Sequence, residues 1–293
     1  MKVERKTNND IANVEDETGD EAERFPEFPR ELLRAENPIE VFYSKEREEQ
    51  PDEPNLYARH EDIPAHNQMA LEQARIVLVG GGGLNSWAGV GLARSGARSI
   101  TVIDHDRVDL TNLSRQFFSS EDLGQLKGIA LAKNLAGQSA RGSSITGIGL
   151  RFEDALADYP LPADIFVAGV DNNECRLQVV REARRRSVPA VFTMLSRDGM
   201  RCQAFLQNAS PLEPCLWCAL PNLDPKNIMW CASAIISSCF MASAYTVFFA
   251  HRALMGWGKL PEFNWRESDL TGTTSERTGV VKRRTDCTVC SKL

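Results

Sequence analysis

Four of the eight cysteines stand in two pairs of equal spacing, Cys215-Leu216-Trp217-Cys218 and Cys287-Thr288-Val289-Cys290. Two Cys-x-x-Cys pairs offer four thiolates, the donor set of a tetrahedral zinc ion. Four sulfur ligands leave Zn2+ no open position for a substrate. The reading is a structural metal that draws the C-terminal segment back onto the loop ahead of a long apolar stretch. Four free buried cysteines are the plainer alternative.

A second group begins with Gly80-Gly81-Gly82-Gly83-Leu84-Asn85. Glycines let a backbone turn sharply and approach phosphate closely, and a helix that follows offers its positive end. Gly80, Gly82 and Gly83 are therefore candidate cofactor-binding residues. Alone the run is weak, because Asn85 stands where the third glycine of a dinucleotide fingerprint falls and a ligand-free turn reads the same way. Next comes Asp104-His105-Asp106. An acidic residue there can bond ribose hydroxyls, in a nicotinamide dehydrogenase as in other nucleotide enzymes. Asn112, Arg115 and Lys127 separate the two readings. Hydride transfer has no use for such a cluster. Attack on the α-phosphate of ATP needs cations against charge developing on the phosphoryl oxygens and the departing pyrophosphate. Asp171, in Val170-Asp171-Asn172, is suited to hold Mg2+ at the edge of a sheet. Each residue singly reads as a solvated surface charge; the ordered set does not.

The elements that must carry these side chains are legible as an alternation. Residues 75–80 (RIVLVG) are a continuous apolar run, as expected of a strand buried on both faces. Residues 84–95 have helical spacing, 99–104 (SITVID) read as a second strand and 127–137 as a second helix. Residues 165–170 (IFVAGV) are a third strand, followed by a helix to about Arg186 and a strand over 190–193. This order predicts an α/β fold with a doubly wound, mostly parallel, Rossmann-like sheet and zinc-clamped strands at the C-terminus.

The chain has 293 residues, 42% of them hydrophobic, enough for a sizeable core. Residues 1–55 carry 17 acidic and 8 basic side chains, so the net charge of -6 hides a mildly basic body. Such a body suits an anionic ligand and is too weakly charged to argue for nucleic acid. Residues 1–22 lack aromatics and apolar periodicity and read as disordered. Sparse apolar pairs over 23–55, such as Leu32/Leu33 and Phe42/Tyr43, either pack on the body or bind a partner. The predicted division is an acidic, largely disordered extension over 1–55 and one domain over 56–293. No apolar signal segment opens the chain, so the expected setting is reducing and cytoplasmic. Residues 232–257 are apolar enough to raise a membrane span. A buried or interface helix is favoured there, since nothing flanking the stretch resembles an anchor.

Together these residues resemble the ThiF/MoeB/HesA family of adenylating enzymes, which share their fold with ubiquitin-activating enzymes. The likeness runs from about Tyr57 to Cys290. The family opens with an Arg-Tyr-x-Arg-Gln-like segment, matched here by Tyr57-Ala58-Arg59-His60. The resemblance implies that Arg59 is an arginine finger reaching the partner subunit's ATP in a homodimer. It puts the glycine loop, Asp104, Asp106, Asn112, Arg115, Lys127 and Asp171 on the family's ATP and magnesium positions, and the four paired cysteines on its zinc site. The implied reaction is adenylation of a C-terminal carboxylate, usually the Gly-Gly end of a ubiquitin-like or sulfur-carrier β-grasp protein. A conjugating enzyme is a further expected partner, and a non-catalytic subunit that kept the fold is the alternative. Two departures stand out: Asn85 replaces a usual glycine, and His60 stands where the family often has Gln. Some relatives pass the acyl group to a cysteine. Cys231 is the candidate acceptor here, and it reads equally well as an inert buried thiol; Cys239 is a weaker candidate, and Cys175 and Cys202 read as core.

Overall fold

In the computed structural model, the residues described are 39–45, 53–140, 142–224, 226, 233–257, 263–272 and 276–290, with the backbone of 3–6. Their strands are β1 (Val3–Lys6), β2 (Ile39–Ser44), β3 (Arg75–Val79), β4 (Ser99–Ile103), β5 (Ser143–Ile148), β6 (Ile165–Ala168), β7 (Ala190–Leu195), β8 (Arg201–Gln207), β9 (Trp265–Asp269) and β10 (Arg277–Gly279). Their helices are α1 (Gln68–Gln73), α2 (Gly83–Ser95), α3 (Lys127–Ala136), α4 (Phe152–Asp158), α5 (Asn173–Arg186), α6 (Leu216–Ala219) and α7 (Ile236–Met255).

The apolar run of β3 explains its place. Ile76 and Leu78 face one layer of helices, Val77 and Val79 the other, and all four are buried. Burying each such side chain contributes about 1.5–3 kcal/mol relative to exposure. All ten strands form one sheet in the order β1-β2-β5-β4-β3-β6-β7-β8-β9-β10. Its centre, β5-β4-β3-β6-β7, is parallel. β2 and β8–β10 pair antiparallel at the two sides. Helices α2, α3 and α7 cover one face; α4, α5 and α6 cover the other. The chain leaves β3 first toward β4 and β5, then returns to β6 on β3's other side. That reversal opens a crevice at the C-terminal ends of β3, β4 and β6, where doubly wound sheets bind ligands.

The fold matches the predicted doubly wound class, with differences at the margins. Ile39–Ser44 lies inside the segment assigned to the extension, yet it is a strand paired along β5 that buries Ile39, Val41 and Phe42. The Phe42/Tyr43 pair therefore packs on the body. β5 and β8 match no predicted element, while β9 and β10 lie in the C-terminal part, where strands are predicted, and extend the sheet antiparallel. Val3–Lys6, inside the stretch read as disordered, is a strand paired antiparallel with β2, whose open edge gives it backbone partners; residues 1–2, 7–38 and 46–52 lie outside the described residues. The long apolar stretch is α7, which packs on α2 and on β7 and β8. Among the described residues no helix is long and apolar enough to cross a membrane.

Candidate functional site at the sheet's switch point

The crevice is a cavity of about 790 Å³, within the usual range of ligand pockets. Its floor is the turn from β3 into α2. Gly80 turns the chain at φ +87°, and a Cβ there would meet Val170 Cγ1 at 2.8 Å. Among the described residues no side chain caps the N-terminus of α2, whose N-cap is Gly82. The first N–H groups of a helix lack intrahelical partners and carry partial positive charge, so this end is free for an anion.

Asn85, the departure from the family's glycine, lies beneath this turn with no exposed surface. Its Nδ2 donates to the carbonyls of Val79 (2.9 Å), Gly80 (2.9 Å) and Val167 (3.1 Å). The amide thus ties the ends of β3 and β6 together under the glycine loop.

Asp104 follows β4 and holds the loop from the side. Its Oδ2 accepts the Gly81 N–H at 2.7 Å and its Oδ1 the Asp106 N–H at 2.9 Å. Burial pushes its carboxyl above the ordinary aspartate range, against the pull of the Lys127 charge and the Gly81 N–H. A carboxylate has about four lone-pair sites, so acceptor capacity remains on the cavity side. Lys127 opens α3, and its Nζ pairs with Asp106 Oδ2 at 3.1 Å. The helix can come this close because the next residue is Gly128, where a Cβ would lie 2.3 Å from the Ile148 carbonyl oxygen.

Asn112 sits in a 3₁₀ turn, Leu110–Asn112, capped by Asp109. Arg115 follows, its Nη1 donating to the Thr111 carbonyl at 2.7 Å and its own carbonyl accepting Trp87 Nε1 at 3.0 Å. Asp171, after β6, is exposed and lines the cavity. Unlike Asp104 it accepts no hydrogen bond and joins no ion pair among the described residues.

Gly80, Gly82, Gly83, Asp104, Asp106, Asn112, Arg115, Lys127 and Asp171 all line this one cavity. Glycine loop, helix end and two cations fit a polyphosphate, and an unspent carboxylate opposite them fits a divalent cation. Arg59 is not among the lining residues; it is exposed on a short 3₁₀ turn, Ala58–His60. Cys231 lies outside the described residues. Cys239 is fully buried on the cavity's edge. Cys175, read as core, is half-buried and also lines the cavity. Burial pushes its thiol up to about 12, which makes it a poor nucleophile near neutral pH. Cys202 is buried in the core as expected.

Sequence reasoning missed Arg176, which lines the same cavity and is 4% exposed. It stands one turn into α5, and nothing in its spacing distinguishes it from the arginines that end that helix.

The second sequence constellation also assembles. The Sγ atoms of Cys215, Cys218, Cys287 and Cys290 all lie within 4.8 Å of one another, and all four residues are buried. Cys215 and Cys287 are 3.7 Å apart, Cys218 and Cys290 3.6 Å. A tetrahedron with Zn–S bonds of about 2.3 Å has edges of about 3.8 Å. The donor set and its spacing therefore fit zinc. Backbone N–H groups of Arg284 and Cys290 donate to Cys218 Sγ and Cys287 Sγ, each at 3.4 Å. Arg184 fastens the loop that leads into Cys215, donating to the carbonyls of Asn208, Ser210, Glu213 and Pro214.

A protein-family model described as the ThiF family matches residues 56–289, and the chain belongs to that family. It is 30% identical over 196 residues to the molybdopterin-synthase adenylyltransferase of Escherichia coli (strain K12), covering 66% of this chain and 77% of that one. It is 35% identical over 111 residues to the NEDD8-activating enzyme E1 catalytic subunit of Caenorhabditis elegans, covering 38% of this chain. The match spans about a quarter (26%) of that relative's length. A crystal structure of E. coli MccB with ATP shares the fold, with a TM-score of 0.64 and 22% identity, over 76% of this chain and 69% of that one.

Proposed function

We propose that this chain is an ATP-dependent adenylating enzyme that activates the C-terminal carboxylate of a ubiquitin-like or sulfur-carrier protein. The observation that carries the reading is the meeting of Asp104, Asn112, Arg115, Lys127 and Asp171 around an uncapped helix end in one cavity. The names of the relatives, an adenylyltransferase and an E1 subunit, support it.

In this reading the triphosphate lies over the N-terminus of α2. Asp104 keeps the glycine loop in place and spends its remaining lone pairs on ribose hydroxyls. The carrier's carboxylate oxygen attacks the α-phosphorus, the bond to the bridging oxygen breaks, and pyrophosphate leaves with the electron pair. Arg115 and Lys127 stabilise charge on the phosphoryl oxygens, and Asn112 orients a phosphate oxygen. Asp171 would hold magnesium, which when bound neutralises charge on the departing pyrophosphate. Arg59 stands away from its own chain's cavity and serves the partner subunit's cavity in a homodimer. The four cysteines hold structural Zn2+ and take no part in the chemistry.

ATP–pyrophosphate exchange tests this, with magnesium and a candidate Gly-Gly-ended carrier. Carrier-dependent exchange is expected. Absence of exchange with every carrier, in a folded and zinc-loaded protein, would turn the reading toward a non-catalytic subunit of the same fold. Mixing Arg59→Ala with Asp171→Ala protein tests the shared site: exchange should return in the mixture, and two inactive proteins that stay inactive together would refute it. A later transfer to Cys231 predicts that Cys231→Ala keeps exchange and loses thioester; an unchanged thioester yield would rule that step out.

A further inference from the structure

Asp171 stands on a loop whose other members are all fastened. Asn172 caps α5, its Oδ1 accepting the Cys175 N–H at 2.7 Å. Arg176 reaches back over the same turn and grips the loop on both sides of Asp171. Its Nη2 donates to the Val170 carbonyl and its Nη1 to Asn173 Oδ1, each at 2.6 Å. Asn173, 2% exposed, then donates from Nδ2 to the Asp224 carbonyl at 2.9 Å. The residue before Asp224 is bound in turn: the Leu223 carbonyl accepts Trp217 Nε1 at 3.0 Å. Trp217 stands between Cys215 and Cys218 in the first cysteine pair. An unbroken line of side-chain bonds and short backbone steps therefore joins the cysteine knuckle to the Asp171 loop.

The choice of a guanidinium is informative. Two neutral donors would satisfy the same two oxygens, whereas burying a cation is costly. Arg176 forms no ion pair among the described residues, and burial pushes its pKa down to about 10, with the nearby Asp171 charge opposing that shift. Its charge acts on Asp171, a cavity carboxylate that no protein group occupies among the described residues.

We propose that Arg176 is the positioning residue of the Asp171 carboxylate, and that the Trp217–Leu223 and Asn173–Asp224 bonds make this positioning depend on the cysteine knuckle. The proposal rests on the reading of Asp171 as the magnesium-holding group. Arg176 fixes where the carboxylate stands, and touches neither nucleotide nor carrier.

The test uses full-length Arg176→Lys, Arg176→Gln and Trp217→Phe proteins, a non-hydrolysable ATP analogue, and Mn2+ in place of magnesium. Mn2+ affinity in the ternary complex is read by electron paramagnetic resonance, analogue affinity without metal by calorimetry, and zinc content by mass spectrometry. Arg176→Gln should weaken Mn2+ binding about 10-fold or more, while metal-free analogue affinity and zinc content stay at the wild-type level. Arg176→Lys, which keeps the charge, should recover part of the loss. Trp217→Phe keeps an aromatic side chain but replaces the indole by a smaller ring without the N–H that bonds Leu223, and should cost about threefold in Mn2+ affinity. Should Arg176→Gln fail to fold, the lysine and Trp217→Phe proteins carry the same comparison. Wild-type Mn2+ affinity in all three variants, or equal losses of metal and metal-free binding, would overturn the proposal while leaving the nucleotide site standing. A wild-type protein that binds no nucleotide would sink the underlying functional reading as well.

Discussion

The cysteine knuckle and the cavity are built on opposite plans. The knuckle is closed: four thiols face each other, backbone N–H groups donate to two of them, and Arg184 ties down the approaching loop. The cavity is open: among the described residues a helix end has no side-chain cap and Asp171 has no protein partner, and Arg115 and Lys127 face the same space. One region spends its polar groups on the fold, and the other withholds them. Residues of the first type should act on stability, and residues of the second on ligand.

The largest test of that division is Cys218→Ser. Removing one thiolate opens a four-ligand site, so zinc content should collapse and stability should fall on the order of 4 kcal/mol or more, as for other losses of a structural metal. Urea denaturation and metal analysis measure both. A variant that loses zinc and keeps its midpoint would break the comparison from the knuckle's side. From the cavity's side, Asp171→Ala should leave the urea midpoint within about 0.5 kcal/mol of wild type, while exchange activity drops about 100-fold or more. A large stability loss there would mean that Asp171 serves the fold.

Asn85 sharpens the contrast, because it belongs to the cavity's frame and spends its donors on backbone. Asn85→Ala leaves buried carbonyls short of a partner and should cost about 2 kcal/mol, read by thermal or urea unfolding. The smallest effect is expected at Arg75 and Asp164, far from both regions. Arg75 donates Nε and Nη2 to Asp164 at 2.9 and 2.6 Å, which holds that carboxyl below the ordinary aspartate range. The folded value lies below the unfolded one, so this stability is present above the usual pKa near ~3.9 and is lost as pH falls through that region. Both side chains are more than a third exposed, so Asp164→Asn should cost about 0.5–1 kcal/mol at neutral pH. The difference from wild type should shrink toward pH 3; a constant difference would contradict the ion pair.

Legibility in the sequence followed the same divide between local and distant causes. The cysteine pairs and the glycine loop are written in short spacing, and the apolar runs of β3, β4, β6 and β7 announce strands buried on both faces. The strand Ser143–Ile148 was hidden because its SSITGI run mixes polar residues with a glycine that the close approach of α3 requires. Ile39–Ser44 was masked by the charged residues around it, since what makes it a strand is the neighbouring edge of β5. β9 reads RESD after its tryptophan and carries no apolar alternation. The candidate site was legible as an ordered set of charges, but their division of labour was not. Nothing in the sequence says that Asp104 is committed to the Gly81 N–H while Asp171 is left uncommitted, because that depends on which backbone groups the sheet's switch point delivers. Arg176 was missed for the same reason: its two acceptors are a carbonyl and an amide made available by the turn.

The most direct test of the account is the fate of ATP labelled at the α-phosphate, incubated with protein, magnesium and a Gly-Gly-ended carrier. The account predicts carrier-dependent formation of an acyl-adenylate and release of unlabelled pyrophosphate, with labelled AMP as the hydrolysis product. Labelled ADP with release of phosphate, or no turnover with any carrier by a folded, zinc-loaded and nucleotide-binding protein, would contradict it.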